Sequence, residues 1–189
     1  MFCRFTATAV FVAVLYLGGT GSGNAAQPLS GSFMPTYPPR DVPDFVIKND
    51  RGKSVTLHEV LKQELSRGGY VLLNIWATWC VPCVGEMPSL NRLQSQMAGR
   101  GLSIITLAQD REGAYSVPAF FRRKGLGDLK AFLDPEGLSV RRFNLRGIPT
   151  TLLIDPAGKE VGRIKSNVDW VREDNLVFLS QLIGGTRTF

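Results

Sequence analysis

The chain is predicted to fold as an α/β protein, with a mixed central sheet flanked by helices on both faces. Three observations predict it. Residues 70–76 and 102–108 are apolar runs rich in branched side chains, and read as buried strands. Between them Val84, Met87, Leu90, Leu93 and Met97 step by three or four, the spacing of a helix with one apolar face. A strand–helix–strand unit of this kind crosses over right-handed and leaves its strands parallel. A hairpin pattern and a last helix follow, which add antiparallel strands to the sheet.

The elements follow in order. Residues 27–43 carry Pro28, Pro35, Pro38, Pro39 and Pro43 among glycines and serines, and read as an extended linker ahead of a domain over 44–189. Residues 45–48 and 54–57, joined by a turn at 49–52, read as an N-terminal β-hairpin. Residues 58–65 have helical spacing, with Thr56 as a cap. The 70–76 strand leads into the central helix, which ends near Gly99 and Gly101. After the 102–108 strand, a helix over 117–124 and a short strand over 129–133 form an insertion after the first βαβ unit. Residues 151–154 and 160–164 make a second hairpin about Asp155-Pro156-Ala157-Gly158, and residues 168–183 close the chain as a helix. Asp-Pro-x-Gly also stands at 134–137, as repeated turn chemistry and not as a domain repeat.

The length of 189 residues suggests one domain plus extras, and 44% hydrophobic residues suffice for a core. The net charge of +6 raises nucleic acid as a partner. The basic residues are scattered, apart from Arg122-Arg123-Lys124 and Arg141-Arg142, so no nucleic-acid role is expected. At the N-terminus, Arg4 precedes an uncharged apolar run from Phe5 to Leu17, then small residues to Ala26. Residues 1–26 therefore read as a secretory signal peptide or an uncleaved N-terminal membrane anchor. Either places the domain in the periplasm or on the outer face of the cytoplasmic membrane. Cys3 falls inside that segment and is read as incidental, which leaves Cys80 and Cys83 as one isolated pair.

That pair carries the chemistry. Cysteines three apart meet across one helical turn, within reach of a disulfide. A helix start offers free N–H groups and a positive dipole end, which favour a thiolate at Cys80. Cys83, one turn inside, is expected to be buried, less acidic and able to resolve a mixed disulfide by attacking Cys80. The competing readings are a static structural disulfide and a metal site. Zinc would need four ligands, and one Cys pair plus the single histidine, His58, supplies three. Copper on two Cys and His58 stays open.

Asn74-Ile75-Trp76-Ala77-Thr78-Trp79-Cys80-Val81-Pro82-Cys83, followed by Glu86-Met87-Pro88, resembles the TlpA/ResA group of exported thiol:disulfide oxidoreductases. The resemblance covers about residues 41–183. It implies a thioredoxin-like fold, with Cys80 as nucleophile and Cys83 as resolving thiol in a Cys80–Cys83 redox disulfide. Glu86 matches the family's acidic residue, Pro88 its helix-kinking proline, and Gly147-Ile148-Pro149-Thr150 its cis-proline loop. Glu86 lies at i+3 from Cys83 and so shares its helix face, where it could exchange a proton with that thiol. Cytoplasmic thioredoxins carry a buried Asp where Asn74 stands, and Asn is no base, so proton handling would fall on Glu86. Trp79, Ile148 and Pro149 are expected to line the substrate site, with Trp76 in the core.

Val81-Pro82 places no charge between the cysteines, which points to a reductant and not a strong oxidant. A peroxidase is disfavoured, because peroxiredoxin-like sites carry Thr where Ala77 stands. No haem, flavin or nucleotide motif is visible, so no cofactor is expected. The expected function is reduction of disulfides in envelope proteins, which the resemblance places in cytochrome c maturation or cytochrome oxidase copper-site assembly. The resemblance implies as partners those proteins, with apocytochrome c among them, and a membrane thiol donor. The alternatives are a copper-binding assembly factor and an exported oxidant. The protein is expected to be a monomer.

Overall fold

A computed structural model of the chain describes residues 33–66, 69–165 and 167–184. The signal-peptide or anchor reading of residues 1–26 falls outside the described residues. One eight-stranded sheet organises the rest. Its centre is β4 (Tyr70–Trp76), every residue of which is buried. β5 (Leu102–Ala108) pairs with β4 in parallel, and β6 (Lys130–Leu133) with β5, as the crossover rule requires. On the other side β7 (Thr150–Ile154) and β8 (Lys159–Ile164) run antiparallel.

Side-chain alternation along β4 divides the core in two. Tyr70, Leu72 and Trp76 face a cluster that holds Cys83, Met87, Leu90 and Leu93 of α2 (Val81–Met97). The same cluster takes Val117 and Phe120 of α3 (Gly113–Lys124) and Leu179 of α5 (Glu173–Gly184). Val71, Leu73 and Ile75 face the opposite cluster, with Leu57, Val60 and Leu61 of α1 (Leu57–Leu65). Burying each such leucine contributes roughly 1.5–3 kcal/mol. The sheet thus separates α1 from α2, which decides the copper question below.

The hairpin is present as β2 (Val46–Asn49) and β3 (Ser54–Thr56), at the far edge beyond β6. Thr56 caps α1 as expected: its hydroxyl accepts the Glu59 N–H, while the Glu59 carboxylate accepts the Thr56 N–H. Thr56→Ala is expected to cost about 1 kcal/mol in urea unfolding. A loss indistinguishable from zero would mean that packing alone holds α1.

Three readings are corrected. Residues 33–41 are not a linker: they form β1 (Phe33–Asp41), antiparallel to β8. Prolines fit because β1 is the outermost strand and needs ladder bonds on one side only, and its register slips between Pro35 and Arg40. Side chains fasten it. Thr36 donates to the buried carboxylate of Glu160, which Arg163 grips from a second side at 2.6 and 2.8 Å. Phe33 lies edge-on to Phe178 of α5, over Gly162, where a Cβ would sit 2.4 Å from its ring.

The last helix begins at Glu173 and not at 168, because Val168 and Trp170 turn inward to a buried acceptor on α2. The insertion between β5 and β7 holds α3, β6 and also α4 (Leu138–Arg142), a short helix absent from the sequence reading. Gly137 before it sits at φ +64°, where glycine is at no disadvantage.

Candidate active site

The carboxyl ends of β4, β5 and β6 and the start of β7 lie at one end of the sheet. Open α/β sheets bind their ligands at such an end. There β4 runs out at Trp76, a short loop follows, and Cys80 becomes the N-cap of α2. Pro82 falls in the first turn, where its missing N–H costs nothing. Cys80 and Cys83 are joined by a disulfide, their Cα atoms 5.2 Å apart. The Cys83 N–H points at Cys80 Sγ from 3.3 Å, a donor aimed where a thiolate would form.

The two sulfurs are not equivalent. Cys83 is fully enclosed, whereas Cys80 keeps 6% of its surface at the edge of the site. Trp79 and Val81 on either side of Cys80 are 67% and 81% exposed, which leaves an apolar rim around it. Trp76 is core, against the rings of Phe120 and Phe121.

Across from Cys80 stands the loop that precedes β7. The Ile148–Pro149 bond is cis, and the Ile148 carbonyl oxygen lies 3.9 Å from Cys80 Sγ. No backbone hydrogen bond engages Ile148 among the described residues.

Beneath the disulfide, Glu86 is 1% exposed. Its Oε1 accepts from Asn74 Nδ2 at 2.8 Å, and its Oε2 from the Val168 N–H at 3.2 Å and Trp170 Nε1 at 3.3 Å. Burial pushes the carboxyl up from 4.5 to about 7, although all three donors pull it down. A carboxyl that titrates near neutrality on the resolving cysteine's helix face suits proton transfer at ordinary pH.

Some of this site was missed in the sequence. Asn74 figures there only as a residue that is no base, and its place as a fully buried partner of Glu86 was not foreseen, although a polar residue inside an apolar strand was the available signal. Val168 and Trp170 were hidden by an apolar pattern that resembled a helix. Asp110, just past β5, accepts from the Thr78 N–H and hydroxyl and so fixes the loop that bears Trp79 and Cys80. An acid directly after a buried strand was its only mark.

His58 does not join the cysteines. It lies on α1, across the sheet from α2, with its Nε2 2.7 Å from the Val42 carbonyl oxygen. A copper site of Cys80, Cys83 and His58 is therefore not assembled. Among the described residues no cluster of three or more His, Cys, Asp or Glu could hold a metal ion.

A family model described as AhpC/TSA family matches residues 38–161. The chain belongs to the AhpC/TSA family. Within that family it is similar to the thiol-disulfide oxidoreductase ResA of Bacillus thuringiensis subsp. konkukian, at 32% identity over 126 residues. The match spans 67% of this chain and 68% of the relative. ResA of Bacillus subtilis is 30% identical over 64% of this chain and 63% of its own. Among solved structures, a thiol:disulfide interchange protein of Chlorobium tepidum superposes with a TM-score of 0.56 at 27% identity. It covers 74% of this chain and 97% of that one. One from a Bacteroides species gives 0.58 at 21%, covering 79% and 92%. This AhpC/TSA family member has the thioredoxin-like fold and is a thiol-disulfide oxidoreductase of the ResA type.

Proposed function

We propose that the protein reduces disulfides in other exported proteins, with Cys80 as nucleophile, Cys83 as resolving thiol and Glu86 as proton acceptor. One observation carries the direction of the steps: of the two cysteines only Cys80 keeps any exposed surface, while Cys83 is enclosed with Glu86 on its helix face. In the reduced protein, the Cys80 thiolate attacks one sulfur of a substrate disulfide and expels the other as a thiolate. Cys83 gives its proton to the Glu86 carboxylate and attacks Cys80 Sγ. The substrate's second thiolate leaves, Cys80–Cys83 closes, and two electrons have passed to the substrate. The free backbone of Ile148 suits pairing with a substrate strand, and Trp79 and Pro149 flank that path.

A thiol donor at the membrane would reopen the Cys80–Cys83 bridge. The substrates that fit this reading are cysteine pairs awaiting haem in apocytochrome c, or awaiting copper in cytochrome oxidase assembly. The targeting pattern of residues 1–26 supports an exported location. Among the described residues no helix is long and apolar enough to cross a membrane.

Reductant poise rests on Val81-Pro82, which offers the Cys80 thiolate no charge and, at Pro82, no donor. The Cys80/Cys83 couple is expected below roughly −220 mV when equilibrated against glutathione and dithiothreitol. A value between roughly −120 and −180 mV would identify an oxidant or isomerase and overturn the proposed direction.

A further inference from the structure

Asn74 makes an asymmetric set of contacts. Its Nδ2 uses both hydrogens, one toward Glu86 Oε1 at 2.8 Å and one toward Thr151 Oγ1 at 2.9 Å. Its Oδ1 is buried and has no hydrogen-bond partner among the described residues. Around Glu86 every polar contact given is an N–H donor: Asn74 Nδ2, the Val168 N–H and Trp170 Nε1. This shell suits a carboxylate. It offers nothing to the proton of a neutral Glu86, and a buried unpaired hydroxyl is costly.

A half-turn of the Asn74 amide removes the conflict. Oδ1 then stands between Glu86 and Thr151, where it accepts the Glu86 proton. The Thr151 hydroxyl, which accepted from Nδ2, now donates to Oδ1. In the observed orientation only Oδ1 lacks a partner, so the turn has to be offset by the hydrogen bond from the Glu86 proton. The proton on Glu86 decides between the two orientations.

We infer that Asn74 is a positioning residue whose amide turns with the protonation of Glu86, donating to the carboxylate and accepting from the acid. This rests on the proposed role of Glu86 and deepens it, since such a partner lets one buried carboxyl both take and hold a proton. Glu86 is faced by Cys83 from its own helix, Asn74 from β4, and Val168 and Trp170 from the 165–172 segment. No charged side chain contributes to its displaced titration. Among the described residues that hydrogen-bond the Glu86 carboxyl, Asn74 is the one whose side chain can supply either a donor or an acceptor.

The test is a carbon-13 titration of the Glu86 carboxyl by NMR, in the oxidised protein so that Cys83 does not titrate. Glu86→Gln assigns the signal. Asn74→Leu removes a partner of both forms, so the midpoint should stay within about half a pH unit of the wild type, whereas losing a fixed donor to the carboxylate would raise it by about one unit or more. Thr151→Val removes a partner that serves both orientations and should move it little. In the wild type, the Asn74 side-chain amide resonances should shift with the same midpoint, and in Glu86→Gln they should not. A midpoint raised by about one unit or more in Asn74→Leu, which marks a donor that does not turn, or amide resonances blind to the titration, would each overturn the inference. Should Asn74→Leu not fold, Asn74→Ala carries the same expectation without added bulk. The pH profile of the resolution step is a separate reading. If the Asn74 amide resonances follow the Glu86 titration and the profile of Glu86→Gln matches the wild type, the role of Glu86 in resolution fails while the inference about Asn74 stands.

Discussion

Cys80→Ser abolishes disulfide reduction, while Cys83→Ser leaves the protein caught on its substrate. The two sulfurs predict different failures because only Cys80 meets the surface. Serine at 80 removes the sulfur that forms the mixed disulfide, and turnover of a protein disulfide with dithiothreitol as donor should fall on the order of 10³-fold or more. Serine at 83 leaves that first attack intact and removes the second. Non-reducing electrophoresis should then show a covalent adduct that dithiothreitol dissolves. The Cys83 N–H comes from the backbone and still points at Cys80 Sγ in that variant, so the nucleophile keeps its donor. Adduct formation by Cys80→Ser in place of Cys83→Ser would reverse the assignment. Full turnover by either variant would make the pair a static clip.

Removing the Glu86 charge should flatten the dependence of stability on pH. Burial raises this carboxyl above its unfolded value, so the folded state prefers the neutral acid. The sign follows. The group's stabilising contribution is complete below about 4.5, and it is lost as pH climbs to about 7, beyond which the folded state carries a buried charge. A midpoint raised from 4.5 to about 7, at about 1.4 kcal/mol per pH unit, gives a loss of about 3 kcal/mol across that window. Urea unfolding of the oxidised protein at intervals from pH 4 to pH 8 measures it. The difference in slope between wild type and Glu86→Gln isolates this group from every other carboxylate. Parallel curves would mean that Glu86 titrates as an ordinary surface acid. The same variant should lose the rise in resolution rate near neutral pH, since glutamine accepts no proton from Cys83.

The sheet and the redox pair were legible because their signals are local. The run at 70–76 is apolar at every position but one, the 84–97 helix keeps its period, and two cysteines at a helix start need no distant partner to be recognised. What was illegible depends on contacts between remote segments. Three prolines disguised β1, whose pairing needs Glu160, Arg163 and Gly162 more than 120 positions away. Val168 and Trp170 carry an apolar pattern compatible with a helix, and the buried Glu86 carboxylate and Ser89 hydroxyl of α2 draw their N–H groups inward. His58 could be weighed as a ligand only until the sheet was known to divide it from Cys80. Asn74 shows both sides: its type could be read, but its two occupied hydrogens and idle oxygen could not.

The edge strand β1 has a practical consequence for handling the protein. Phe33 is level with Ile164, and Ile164 with Thr151, two residues beyond Pro149. The start of β1 therefore lies at the same end of the sheet as the disulfide. The end of α5 lies opposite, where Gly184 shares a cleft with Gly69, Tyr70 and Gly101. A bead, sensor chip or fusion joined at Gly184 sits at the end of the sheet opposite Cys80, whereas one joined at Phe33 sits at the end that carries the redox pair.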